Sequence, residues 1–293
     1  MNEARETPME KETPDRLDAV LEVMRRRRSV RGFEKGRRVG RETLLRIAEA
    51  ARWAPTGANT QCWDLVIVDD PAVRGAVLDV FLRQSQRLVD HAKGFPAVKK
   101  TYLANTAAIF LVLGDPRWKA CFPQATTEEW RAEYAANNER IYLASVAAAV
   151  QNIQLAVTAA GLAAAWLSGG AEATTNRELS AVLGFPPFME AIGTVPVGVP
   201  QKRPGSRYRR PLAQVAHWNG FRGAQARPDA MVRFYAEELR PFAMYRASES
   251  LLEWEDADAK LGRWKEAFTG PAPGLACPLA CPPACPAAGD AET

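Results

Sequence analysis

Between Asn138 and Gly161 the chain carries a helix-forming sequence with almost no polar face. Ile141, Val146, Val150, Ile153 and Val157 are set among alanines, and Gln151, Asn152 and Gln154 are its main polar points. A helix apolar nearly all round has to be enclosed. It must lie inside the protein or at a subunit interface, with the other elements built around it. No run of about 18 uncharged apolar residues occurs, so no membrane span is expected.

What surrounds this helix reads as a mixture of helices and strands. A polar tail, residues 1–15, ends in Thr13-Pro14, a helix start with Thr as cap and Pro in the first turn. Leu17, Val20, Leu21 and Met24 then recur at helical spacing, which predicts one buried face. A second helix is expected from Arg41 to Trp53, with Leu44, Leu45, Ala48 and Ala51 on one side, and a third around Ala72–His91. Strands are expected at Leu65–Val68, Ala107–Leu113, Ala163–Leu167 and Ile192–Val199. Asp69, Asp70 and Asp115 follow two of them as turn residues. Thr175-x-x-Glu178 reads as a capping box opening a helix that Gly184 ends. Residues 117–135 read as irregular and aromatic, with Trp118, Phe122, Trp130 and Tyr134. No regular βα beat is present, so an α+β layer fold is expected rather than a doubly wound sheet.

At 293 residues the chain is one large domain or two small ones. A composition of 47% hydrophobic and 25% charged residues excludes collagen, a fully disordered chain and a coiled coil. Residues 226–268 read as a helical, amphipathic extension, and 269–293 as an unstructured tail rich in Pro, Ala and Cys. The net charge of +4 is too weak to argue for nucleic acid. The two histidines, His91 and His217, lie far apart, which leaves no His-rich metal site. Five cysteines, an odd count without an export signal, point to a reduced cytoplasmic protein. The spacing Cys277-x3-Cys281-x3-Cys285 matches neither a zinc ribbon nor a ferredoxin run, so no metal is expected.

The chemistry-bearing segments are three. Arg25 to Arg31 contains five arginines and a serine. It reads as a solvated helix end, as a weak localisation or nucleic-acid signal, or as an anion site in which guanidinium forks and the Ser29 hydroxyl meet phosphate oxygens. Arg207 and Arg209 form a second basic group beside a strand end. The loop Pro55-Thr56-Gly57-Ala58-Asn59-Thr60-Gln61 offers amides and hydroxyls to a flat heterocycle, or is a plain helix-to-strand connection. Neither GxGxxG nor GxxxxGK[ST] occurs, and Ser168-Gly169-Gly170 is a weak backbone-donor candidate.

Taken in order, these segments resemble the nitroreductase family of FMN flavoproteins. The resemblance rests on Arg27-Arg28-Ser29-Val30-Arg31-x-Phe33 and Ala54-Pro55-Thr56-Gly57-Ala58-Asn59-Thr60-Gln61-x-Trp63. It continues through Gln151-Asn152, Gly161-Leu162, Trp166-Leu167-Ser168-Gly169-Gly170, Leu183-Gly184-Phe185-Pro186, Val197-Gly198-Val199-Pro200 and Arg209-Arg210-Pro211-Leu212. The resemblance implies a three-layer α-β-α fold, with a mixed, mainly antiparallel sheet between helices, in a domain-entwined homodimer with FMN at the interface. It places the flavin domain at residues 16–225. Arg27 and Ser29 would hold the FMN phosphate with Arg28 beside them, and Arg207 and Arg209 would complete that site. Arg31 would approach the pyrimidine edge, where a cation stabilises charge on the reduced ring. Pro55, Thr56, Asn59 and Gln61 would come from the partner subunit to line the ring and ribityl chain. Ser168 and Gly169 would lie near the flavin N5 and O4 side, and Lys99 and Lys100 near a further flavin contact.

The implied activity is ping-pong hydride transfer, with NADH or NADPH as electron donor and a nitroaromatic, quinone or other flat electron-poor acceptor. The cofactor carries this chemistry, so no catalytic side chain is required. A specialised flavoenzyme on the same scaffold (a reductive dehalogenase, a natural-product dehydrogenase or a flavin-consuming synthase) is the alternative, and a non-catalytic flavin- or anion-binding protein a further one. Cys62 stands where the family usually has proline, as a small hydrophobe or a thiol with a chemical role. The aromatics of residues 117–135 fall where members vary their substrate cover, and read either as that cover or as core.

Overall fold

Strand β2, Ala108–Gly114, is fully buried and organises the molecule. Its side chains alternate: Ala108, Phe110 and Val112 enter one core cluster, and Ile109, Leu111 and Leu113 enter another. A strand apolar on both faces needs a layer on each side. In this computed structural model, which describes residues 13–91, 100–205, 209, 212–223 and 226–234, both layers are helical. The chain divides into two units, residues 1–207 and 208–293.

The first unit runs α1 (Thr13–Arg26), α2 (Arg41–Arg52), β1 (Trp63–Val68), α3 (Pro71–His91), β2, α4 (Glu128–Ala159), β3 (Ala163–Ala164), α5 (Ala173–Leu183) and β4 (Glu190–Gly198). The second contains α6 (Asp229–Phe234) among its described residues. The rest of the expected 226–268 extension lies outside them, as does the cysteine tail. The sheet order is β1-β2-β4-β3, antiparallel at each pairing. A parallel bridge from Ser29 to Ala164 adds the one mixed feature seen among the described residues. The fold is the expected α+β, three-layer arrangement. Helices α2 and α4 cover one face, with Leu44, Ile47, Tyr142, Val146, Val150, Ile153 and Val157 in the core. Helices α3 and α5 cover the other, with Val77, Val80, Phe81 and Leu179.

Four expectations are corrected. Helix α4 begins at Glu128, so the second half of the segment read as irregular is helical. Thr127 is extended, and Glu128 and Glu129 occupy the first turn, where carboxylates favour the positive end of the helix dipole. Strand β3 stops after Ala164 because its partner opposite Ala165 is Pro196, which accepts from the Ala165 amide but has no N–H to return. Pairing resumes at Leu167 and Thr194. Helix α5 starts at Ala173, before the proposed capping box. Thr175 is buried inside the helix, where its hydroxyl accepts from the Arg87 guanidinium, and Glu178 is bound by Arg83 and Arg87.

The fourth correction concerns α1. Most of its apolar stripe lies open on the protomer: Leu17, Val20 and Met24 are 53%, 50% and 45% exposed, and Leu21 is half-buried. An amphipathic helix with its apolar stripe in solvent lacks a partner surface. Helix α4 is by length and composition apolar enough to cross a membrane, yet half of its most apolar window is buried against the sheet and α2.

Candidate functional site

The arginine-rich segment leaves α1 and runs extended along the β3 edge. The Val30 amide donates to Ala164 O at 2.9 Å, the Glu34 amide to Val199 O at 2.9 Å, and the Gln201 amide to Gly32 O at 3.1 Å. Val30 and Phe33 are buried and pin the segment down. Ser29 and Arg31 are exposed. The Ser29 hydroxyl has no hydrogen-bond partner among the described residues. Arg27 is half-buried, and its Nη1 donates to Gln154 Oε1 at 3.4 Å. That contact explains a glutamine in the apolar helix. Arg28 behaves differently. It donates to the carbonyls of Arg25, Arg27 and Gly205, and with Arg26 and Arg203 it rims a shallow pocket over Val30, Thr158, Leu162 and Ala163. Arg203 donates to Gly161 O. Both guanidinium groups satisfy carbonyls near helix C-termini, the usual place for a cation.

Tyr102 lies behind Arg31, its ring 6.4 Å from that of Phe33. Burial pushes the Tyr102 phenol above its ordinary pKa, and the nearby Arg31 charge works the other way.

The Ser168–Gly169 turn follows the Leu167–Thr194 bridge on the same edge, with Ser168 exposed. At Gly169 a Cβ would stand 2.8 Å from Gln84 Nε2 and 3.3 Å from Glu172 Oε1, so a side chain there would have to push the Gln84 amide aside. Beneath it, Gln84 Nε2 donates to Glu172 Oε1 at 2.6 Å, and Lys100 Nζ donates to Gln84 Oε1. Lys100 is buried over the Phe81 ring, 5.2 Å from its centroid. Burial pushes its pKa down to about 8, with Glu172 opposing the shift. Lys99 lies outside the described residues.

The loop of residues 55–61 stands elsewhere. Ala58, Asn59 and Gln61 hold positive φ angles of 51°, 51° and 48°. Such angles cost non-glycine residues about 1 kcal/mol or more each unless the surroundings enforce them. Here Gly57 N donates to Ser145 Oγ at 3.0 Å, Gln61 N to Thr56 Oγ1 at 3.1 Å, and the Asn59 and Thr60 amides turn back on Thr56 and Gly57. Pro55, Asn59 and Gln61 are left exposed, and Thr56 half-buried. The loop feeds Trp63 into β1 opposite Gly114, whereas Ala164 and Ser29 stand at the other end of the sheet, level with Val197 and Ala108. Strands β1 and β3 are opposite edges. Three strand spacings and about six residues of strand length put the loop and the arginine row on the order of 20 Å apart. One protomer does not bring them together. Arg209 is exposed in the second unit, and Arg207 lies outside the described residues.

Cys62 is buried beside Thr60 and Ser145, and burial pushes its thiol up from the ordinary value. A thiol in that state is a small hydrophobe, not a nucleophile. Alkylation of the native protein is expected to label exposed Cys121 and to spare Cys62 until the chain is unfolded, and Cys62→Ala is expected to retain full flavin content. Rapid labelling of Cys62 in the native state, read by peptide mass, would reverse this assignment.

Of the aromatics in 117–135, Phe122 is core, while Trp118, Trp130 and Tyr134 are exposed. Asp115 accepts from the Arg117 backbone amide and guanidinium, which hold its carboxyl below the usual range, and Asp70 caps α3. Both are turn residues. Among the described residues no three His, Cys, Asp or Glu side chains gather as metal ligands.

The sequence pattern of the Nitroreductase family matches residues 24–199, from the end of α1 to the end of β4. The chain belongs to the nitroreductase family. Among its relatives, the 5,6-dimethylbenzimidazole synthase of Rhodospirillum rubrum is 31% identical over 156 residues, 53% of this chain and 69% of that protein. Two solved structures share the fold. A BluB-like flavoprotein from Clostridium difficile 630 has a TM-score of 0.55 at 20% identity, covering 69% of this chain and 99% of that one. The NADPH:FMN oxidoreductase from Vibrio harveyi, solved with NAD+, has a TM-score of 0.54 at 18% identity, covering 82% and 97%.

The donor set of this nitroreductase-family chain suits FMN. Arg27, Ser29 and Arg31 offer guanidinium and hydroxyl donors in a row to a phosphate and to an oxygen-rich ring edge, and Gly169 leaves room for close backbone approach. Sequence reasoning missed Gln84, Tyr102, Glu172 and the Arg27–Gln154 bond. Their only trace is polarity at positions where helical spacing demands an apolar residue, as at Gln84 in α3 and Gln154 in α4.

Proposed function

We propose that this protein is an FMN-dependent oxidoreductase that draws electrons from NADH or NADPH and passes them to a flat, electron-poor acceptor such as a nitroaromatic or quinone, by a ping-pong cycle. The observation that carries the reading is the donor set of half-buried Arg27 and exposed Ser29 and Arg31, on a segment fixed by backbone bonds to Ala164 of β3 and to the residues that follow β4. Bound FMN would supply the hydride chemistry. The chain supplies position and charge. Arg27 and Ser29, joined by Arg207 and Arg209, hold the phosphate. Arg31 faces the pyrimidine edge, and Ser168 and Gly169 the N5 and O4 side. Arg28 clamps α1 beside them. The proposed flavin domain is 16–225, and the odd cysteine count favours the cytoplasm.

The partner's copy of the 55–61 loop completes the site. Its Pro55, Thr56, Asn59 and Gln61 cannot reach the arginine row of their own chain, so the functional unit is a homodimer. The open stripe of α1 fits such an assembly. Val20→Asp with Met24→Asp is expected to weaken self-association by more than about tenfold, since each apolar side chain contributes roughly 1.5–3 kcal/mol on burial. Sedimentation measures it, and an unchanged dimer would remove α1 from the interface.

The deciding experiment is an absorbance spectrum of the purified protein, followed anaerobically as NADH and then NADPH are added. Flavin bands that bleach with either nucleotide, and return on adding a quinone, support the reductase and name its donor. A flavin-consuming synthase is the second reading, favoured by the identity to the Rhodospirillum rubrum synthase. It expects flavin absorbance to be lost for good once the reduced protein meets air. Absence of flavin bands even after reconstitution would overturn both.

A further inference from the structure

The Ser168–Gly169 turn rests on a buried polar chain that its own chemistry does not require. Gly169 sits in contact with the Gln84–Glu172 hydrogen bond, so close that a methyl group would collide with Gln84. Gln84 is buried on α3, where its neighbours Val77, Val80 and Phe81 are apolar core. Its amide oxygen is taken by Lys100 and its amide nitrogen by Glu172. Glu172 also accepts from Thr175 Oγ1 at 3.3 Å, which ties it to the start of α5. A lysine buried to this degree is costly unless partnered. Its partners here are one amide oxygen and the face of Phe81. Any movement of Lys100 or Gln84 therefore moves the surface on which Gly169 lies.

We propose that Lys100, Gln84 and Glu172 form a relay that positions the Ser168–Gly169 turn, so that Lys100 acts on the flavin-facing backbone through Gln84 and Glu172 and not by touching the cofactor. This rests on the flavin reading for its functional meaning, while the relay itself belongs to the chain alone. Lys100 and Gln84 are positioning residues. The charged groups facing Lys100 are Glu172, ahead of α5, and Arg87 on α3, itself paired with Glu178. The ammonium is the stronger donor to Gln84, and it is lost as pH rises through about 8. The relay therefore loosens in that window.

The test uses Lys100→Met and Gln84→Met, both close in shape to the native side chains, with Gly169→Ala as a third variant whose methyl group presses on the Gln84 amide from the side of the turn. Two readouts are taken on the full-length protein. One is amide hydrogen exchange of residues 168–172 without flavin. The other is FMN affinity by fluorescence from pH 7 to 9. Each Met variant is expected to speed exchange at 168–172 by about tenfold and to weaken FMN several-fold, with the double variant no worse than either single one. Wild-type affinity should fall as pH passes about 8, and that dependence should vanish in both Met variants. Gly169→Ala, which disturbs the Gln84 amide while keeping Lys100, should weaken FMN likewise.

If Lys100→Met weakens FMN while Gln84→Met leaves affinity, exchange and pH profile unchanged, Lys100 contacts the flavin directly and the relay is wrong. Unchanged exchange in both Met variants also overturns it. A wild type that binds no FMN defeats the flavin reading instead, and the exchange measurement still decides the relay.

Discussion

Arg27→Ala combined with Arg209→Ala is expected to weaken FMN binding by about 100- to 10,000-fold. A hydrogen bond to a charged group contributes roughly 1.5–3 kcal/mol, and two such bonds to one phosphate are lost together. Fluorescence titration of the flavin-free protein measures the change. The singles separate two effects. Arg27 is bonded to Gln154 on α4, so its removal also leaves a buried amide unpaired. Gln154→Leu in the Arg27→Ala background removes that unpaired group and isolates the phosphate contribution. Ser29→Ala, at an exposed hydroxyl without a partner among the described residues, should cost affinity with little change in thermal stability. A double variant that retains stoichiometric FMN would break the proposed link between the two basic groups.

The arginine row was legible because donors alternate with anchors. Val30 is buried between exposed Ser29 and Arg31, the alternation of an extended segment, and Phe33 is a second anchor three residues on. The central layer was legible for the same kind of reason. Strand β2 is an unbroken apolar run, and such a run needs cover on both faces. The failures have a common physical origin in contacts made far along the chain. Pro196 cut β3 short from the neighbouring strand, so nothing within residues 163–167 could announce it. Thr175 and Glu178 have the spacing of a capping box, but Arg87 on α3 claims both. Gln84 stands out only as a polar residue on the apolar face of α3, and its role follows from what Lys100, Glu172 and Gly169 do around it. Helix α1 differs again. Its stripe has the spacing of a buried face, and the protomer leaves most of it exposed.

The geometry of the sheet leads to the second large effect. The 55–61 loop and the arginine row stand at opposite ends of one sheet and on opposite edges of it. If one flavin is gripped by both, a two-fold dimer contains two sites, each with the row of one chain and the loop of the other. A chain carrying Arg27→Ala and Arg31→Ala spoils the row. A chain carrying Asn59→Ala and Gln61→Ala spoils the loop. Alone, each is expected to form dimers with no intact site. Mixed in equal amounts by co-expression, random pairing makes about half the dimers mixed, and each of those has one site built wholly from native residues, so about a quarter of all sites should bind FMN at wild-type affinity. Titration of tight-binding sites reads this directly, and the contrast with the parent variants is nearly all or none. A site contained within one chain predicts no recovery at any mixing ratio. Recovery above about half of the sites would conflict with the one-row, one-loop stoichiometry as well. The experiment therefore tests the shared architecture independently of the proposed activity, because it counts bound flavin and requires no turnover.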